Sequence, residues 1–479
     1  MSFDSNGGGA ETTAAAVVNN SFFSILKEAV WGSSRDFTDG SLKVGIFVLA
    51  VPMIIEMFAE SLFALVDIFF VARLGAGAIA VVGITESMMY LVYSVAIGIS
   101  VGATATVSRR MGEKDPDGAS RAAAHSIYLG LAASFVIGVI GIVFAPDLLR
   151  LMGADEAVVA EGATFTRIML GGNVVVMMLF LLNAIFRGAG DATIAMRVLW
   201  LANILNIILG PCFIFGLWIF PELGVTGAAV ATTIGRGVGA ALAAYTLLFG
   251  ERRISIRREH WAFDPQLIMR LIKVSAPAVF QFFIQTASFI GLVRIVTGFG
   301  TVAVAGYQIG MRVVVFALLP SLGLANAAAT LVGQNLGAGK PERAEKAVWT
   351  ACLYNGIVQT TIGILFVIFA ESIAGFFTED AAVAAYATDA LRIIAYGFLF
   401  YSVGMVLETA FNGAGDTWTP TYLALGVFWA FEIPLAYFLA YTMELGPHGV
   451  FWAIAIAFSV LAVAAAILFR RGKWKLKEV

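Results

Sequence analysis

Glu56, Glu60 and Asp67 fall within one apolar stretch, PMIIEMFAESLFALVDIFFVARLG (residues 52–75), long enough to cross a bilayer. Each acid costs roughly 2.5 to 3.5 kcal/mol at the centre of a membrane helix. At about 100° per residue, Glu60 lies about 40° from Glu56 around the helix and Asp67 falls between them, so the three share one face. Carboxylates in apolar surroundings take up a proton near neutrality or bind a hard cation such as sodium. The plainer alternative is that they cap or snorkel, with Asp67 wet at the outer interface and paired with Arg73, and Glu56 hydrogen-bonded to a neighbouring helix.

Asn183, Asn203 and Asn206 add neutral oxygens of the kind sodium prefers. Asp67 and Glu60 are therefore candidate Na+ ligands, and Glu56 with the three asparagines completes a candidate cation-coupling set that suits either Na+ or H+. Glu86, Glu408 and Glu432 read as buried hydrogen-bond partners, with Arg236, Arg294 and Arg312 as their counter-charges. The histidines, His125, His260 and His448, are scattered, and no nucleophile stands beside a base, which argues against an intramembrane enzyme. Cys212 and Cys352 sit in apolar segments and read as small core residues.

The elements that must position these groups are membrane helices. Of 479 residues, 60% are apolar and 13% charged, and the mean hydropathy is +0.89, far outside soluble globular usage. Apolar runs predict twelve spans, near 44–72, 78–107, 122–146, 163–186, 194–217, 225–249, 271–297, 301–332, 347–370, 388–411, 421–443 and 448–469. Residues 1 to 20 lack a signal-peptide pattern and read as a disordered tail, and Phe22, Phe23, Leu26 and Val30 fit one side of a short surface helix. Arg109, Arg110, Lys114 and Arg121 flank the loop after span 2. Arg252, Arg253, Arg257 and Arg258 fill the loop after span 6, Lys340, Arg343 and Lys346 follow span 8, and five basic residues end the chain. The alternate loops carry acids, so both termini are expected in the cytoplasm.

The chain also repeats itself. Pro52–Gly75 aligns with Pro277–Gly300 without a gap, RRMGEKDP (109–116) with QNLGAGKP (334–341), and FRGAGD (186–191) with FNGAGD (411–416), all at an offset of 225 residues. Each half holds six spans, so the halves insert in the same sense and relate by an axis along the membrane normal, with a substrate site expected between them. The expected division is a cytoplasmic segment 1–42, an N-lobe 43–250, an inter-lobe loop 251–268, a C-lobe 269–470 and a basic tail 471–479. At the repeat positions of Glu56, Glu60 and Asp67 stand Gln281, Gln285 and Leu292, so one lobe is acidic where its twin is neutral. Phe282, Phe289 and Met311, with Gln281 and Gln285, form a candidate surface for an apolar cation. The paired GAGD glycines read as helix ends with Asp191 and Asp416 structural. GQNLGAGKP is no phosphate loop, because Gln334 and Pro341 replace required residues and no strand precedes it. GRGVG at 235–239 reads as a close helix contact.

VDIFFVARLG closing span 1, AGYQIGMR in span 8, VGQNLGAGKPERA leaving it, and RGAGD and NGAGD after spans 4 and 10 resemble the multidrug and toxic compound extrusion (MATE) family, over essentially residues 43–470. The resemblance implies an all-α protein of twelve helices in two six-helix bundles, exchanging Na+ or H+ for an organic, often cationic, compound by alternating access. Asp67 matches the family's functional Asp in span 1. Where one branch has a second Asp in span 5, NIILGP here keeps Asn206 but holds Gly210, leaving Glu60 as the candidate replacement. The branch that couples through its second lobe uses acids in spans 7 and 10, and the matching positions hold Gln285 and Tyr401. The resulting expectation is a monomeric, multi-pass antiporter of the cell membrane, in contact with lipid, exporting an organic cation or amphipath, with no cofactor besides the coupling ion and no nucleic-acid partner. The alternative is a flippase for a lipid-linked precursor, which a large basic cavity would favour.

Overall fold

The computed structural model describes residues 22–250 and 252–479. The tail and signal-peptide readings made above for residues 1–20 lie outside the described residues. Phe22–Trp31 forms a short helix with Phe22, Phe23 and Trp31 exposed along it.

Among the described residues, eleven continuous helices are long and apolar enough to span, and a bent pair makes the twelfth. They are Leu42–Ala72, Ala76–Gly112, Pro116–Leu151, Glu156–Gly188, Ala192–Phe215 and Val225–Phe249 in the first half. The second half has Pro265–Thr297, Thr301–Gly337, Pro341–Phe377, Ala381–Ala395 with Phe398–Gly413, Trp418–Thr442 and Pro447–Arg470. Span 10 bends by 60° at its break. Span 11 widens into π-helix over Leu425–Glu432, a geometry that re-aims side chains.

Local chemistry explains the boundaries. Spans 3 and 7 begin at Asp–Pro pairs, where Asp115 accepts from the Gly118 amide and Asp264 from those of Gln266 and Leu267. Gly75 and Gly300, one repeat apart, precede spans 2 and 8 with φ of 103° and 93°, a conformation L side chains avoid.

The repeat is also how the lobes meet. Span 1 packs on span 8 and span 7 on span 2, while spans 2 and 8 cross. A Cβ added at Gly98 would strike Val279, and one at Gly323 would strike Ile54. Nearer the basic loops, Gly112 abuts the Gln334 carbonyl and Gly337 that of Arg109. Side chains follow the same symmetry: Arg109 Nη2 donates to the Ala414 carbonyl at 3.4 Å, and Gln334 Nε2 to that of Gly188 at 3.1 Å. The lobes are thus sealed at the basic end. Toward the other end of spans 2 and 8, Glu86, Tyr90, Leu91, Gln308, Arg312 and Val315 are exposed.

A strap, residues 32–41, crosses the sealed end. Phe37 is buried, with Arg253 stacked over its ring. Lys114 of the first half reaches Asp36, and Lys340 and Arg343 of the second reach Asp39.

Candidate functional site

Between the lobes lies a cavity of about 280 Å³, near the lower limit for a drug-sized ligand. From the first half, Glu56, Glu60, Asn183 and Arg187 reach its wall, beside Ser100 and Thr104 of span 2. From the second half come Gln281, Phe282, Gln285, Tyr401, Glu408 and Asn412. The acidic face of span 1 therefore looks onto the junction of the two halves.

Its acids are paired. Arg187 Nη1 donates to Glu56 Oε1 at 2.6 Å, with the Glu56 side chain only 2% exposed. Arg236 Nη2 donates to Glu60 Oε1 at 2.7 Å, and Asn203 Nδ2 to Glu60 Oε2 at 3.2 Å. Buried carboxylates demand such partners, because leaving one alone costs several kcal/mol. Arg236, expected to serve Glu86, Glu408 or Glu432, is committed to Glu60 instead. It reaches span 1 because Gly235 and Gly239 press against Ala202 of span 5, drawing span 6 in close.

Asp67 stands apart. It is half-buried, outside the cavity wall, and within electrostatic range of Glu86 and Arg236. The Arg73 partner considered for it lies over the Phe69 ring, 4.5 Å from the centroid. Asn206 donates to Thr232 Oγ1 at 3.1 Å and so ties span 5 to span 6. Asn183 faces the cavity, and its Oδ1 has no hydrogen-bond partner among the described residues.

The second-lobe set divides. Gln281, Phe282 and Gln285 line the cavity, with Asn412 Nδ2 donating to Gln281 Oε1 at 3.2 Å. Phe289 and Met311, expected beside them, belong to the lobe's interior: Phe289 packs on Tyr307 with ring centroids 6.0 Å apart, and Met311 is buried in the core. Both pack into the apolar core of the second lobe, Phe289 from span 7 and Met311 from span 8, and neither lines the cavity. Glu432 accepts from Ser288 Oγ at 3.1 Å.

Arg187 and Asn412 were not singled out from the sequence, although a signal exists. They are the residues that differ between FRGAGD and FNGAGD, just as Glu56 and Gln281 differ between the two copies of span 1. Paired differences of this kind mark contacts.

Twelve spans in two repeated lobes, sealed at one end around a largely apolar cavity that carries a few charged and amide groups, define a polytopic membrane transporter. The MatE family model matches residues 52–212 and again 277–438, once in each half, and the chain belongs to this family of multidrug and toxic compound extrusion transporters. It is a transporter and not an enzyme. A probable multidrug resistance protein, NorM, of Thermotoga maritima is 26% identical over 90% of this chain and 93% of its own length. An FAD transporter of Shewanella oneidensis is 26% identical over 88% and 93%. Among solved structures, a MATE protein in complex with MaL6 superposes with a TM-score of 0.87 at 26% identity, covering 92% of this chain and 99% of that one. The outward-facing conformation of a multidrug resistance MATE family transporter gives 0.86 at 26% identity, over 92% and 98%.

Proposed function

We propose that this chain is a secondary antiporter that exports organic, cationic or amphipathic compounds across the cell membrane in exchange for H+ or Na+, by alternating access. The observation that carries this reading is the inter-lobe cavity, sealed at the basic end by symmetric contacts and walled by three carboxylates against one guanidinium. By the positive-inside rule the basic end is cytoplasmic, as are both termini, so the contacts that seal the lobes lie on the cytoplasmic side.

Coupling belongs to Asp67 and Glu60 in the first lobe, with Glu56, Asn183, Asn203 and Asn206 around them. Of the two ions, the geometry favours the proton. Arg236 already holds Glu60 Oε1, and sodium bound there would sit against a guanidinium. A proton needs only to weaken the pair. Once Glu60 is neutral, span 1 loses its tie to span 6, and a change of a few kcal/mol is enough to redistribute two conformations by orders of magnitude.

Gln281, Gln285 and Phe282 supply the substrate surface, and the protein is expected to work as a monomer in contact with lipid. The flippase alternative calls for a large basic cavity, and the cavity here is small and lined with acids. The test is export of a fluorescent organic cation from proteoliposomes with proton and sodium gradients imposed separately. Export driven by the proton gradient and indifferent to ATP is expected; export driven by sodium alone would reverse the choice of ion, and substrate-stimulated ATP hydrolysis by the pure protein would overturn the reading.

A further inference from the structure

The three carboxylates of the cavity wall differ in one respect. Glu56 and Glu60 each hold an arginine. Glu408, 7% exposed, makes no ion pair among the described residues. Its Oε2 receives a long 3.5 Å contact from Gln285 Nε2, and its Oε1 has no hydrogen-bond partner among the described residues.

The repeat sharpens the contrast. Glu408 occupies the position that Asn183 holds in the first lobe, one offset of 225 residues earlier. The positions of Glu56 and Arg187 are held by Gln281 and Asn412, which hydrogen-bond to one another. The second lobe has thus replaced a complete ion pair by a neutral one and placed a single acid in the wall. An isolated buried carboxylate is costly, and a cation arriving in the cavity removes that cost. The rings of Phe282 and Tyr401 border the same space and attract a cation further.

We propose that Glu408 is the counter-charge that receives the cationic centre of the exported compound, in a subsite bounded by Gln281, Gln285, Phe282 and Tyr401. This rests on the export reading above and adds to it which residue selects for charge. Glu432, the other acid of this lobe's interior, lies outside the cavity wall and is satisfied by Ser288, so it serves as the control.

The probe is ethidium, a permanent cation, and binding to the full chain in nanodiscs is read by fluorescence anisotropy. Glu408→Gln is expected to weaken ethidium binding about tenfold or more, as loss of a desolvated charge partner does. Glu432→Gln should change it less than about twofold, and an uncharged dye such as Nile red should bind the Glu408→Gln protein as it binds the wild type. Independently of any variant, ethidium should protect Glu408 of the wild type from carbodiimide labelling, read by peptide mass spectrometry. Unchanged ethidium affinity in Glu408→Gln, no binding by the wild type, or no protection each overturns the proposal. Retained binding with lost gradient-driven export in Glu408→Gln also overturns it, by making Glu408 a coupling group. Wild-type export in proteoliposomes is measured separately, so protein that binds ethidium through Glu408 but never exports it refutes the export reading alone.

Discussion

Arg187 and Glu56 form a buried ion pair of 2.6 Å in the cavity wall, and at the same place in the second lobe Asn412 and Gln281 form a neutral pair of 3.2 Å. One architecture thus carries two electrostatic versions of a single contact. This provides a direct way to separate structure from coupling.

Glu56→Gln or Arg187→Asn alone leaves one buried charge without its partner and should destabilise the protein by about 3 kcal/mol. The double variant copies the second lobe and should recover most of that loss. Thermal melting in detergent measures all three. Additive losses would show that the pair is not an energetic unit.

Asp67→Asn should abolish gradient-driven export while the melting temperature is retained, since removing a charge from a membrane helix does not cost stability. Glu60→Gln should also abolish export, with a loss of stability because Arg236 is stranded. Gln285→Ala should change which compounds are carried and leave coupling intact. Export by the Asp67→Asn, Glu60→Gln double variant at near wild-type gradient dependence would place coupling elsewhere.

Gly112 and Gly337 seat against the carbonyls of Gln334 and Arg109 at the sealed end, so Gly112→Val and Gly337→Val should each push the lobes apart there. Spin-label distances between spans 2 and 8 at the basic end should lengthen in both. An unchanged distance distribution in either would mean that the crossing tolerates a side chain and does not form the seal.

Phe37→Ala should cost about 3 kcal/mol of local stability in the strap, in the range for truncating a buried phenylalanine. Faster hydrogen exchange over residues 36–41 is the readout, and exchange at the wild-type rate would show that the ring anchors nothing. Burial tends to raise the Asp36 carboxyl, but bonds from Thr38 and Lys114 outweigh it and hold it at about 2, below its ordinary 3.8. A depressed carboxyl contributes above its unfolded value and fades as the pH falls toward the folded one. Strap protection should therefore be constant from about pH 8 to about pH 5 and weaken only near pH 3. A loss centred near neutrality would exclude Asp36 as the source.

The sequence by itself determined the twelve spans, the doubled lobe, the family and the inward placement of Glu56 and Glu60, though not that Asp67 stands apart, because apolar length, helical period and an offset of 225 residues are written along the chain. It could not say what the acids meet. Arg187 and Arg236 lie 131 and 176 residues from Glu56 and Glu60, and only the fold, which brings their long side chains within reach of span 1, joins them. The same holds for Phe289 on span 7 and Met311 on span 8, which pack into the core of the second lobe and not into the cavity wall with Gln281 and Gln285. Likewise the two GAGD segments, read locally as helix ends, accept from Arg109 and Gln334 the bonds that close one lobe on the other. Periodicity reports which face of a helix is special; which partner fills it depends on where distant helices are brought by close packing, and that is decided in three dimensions.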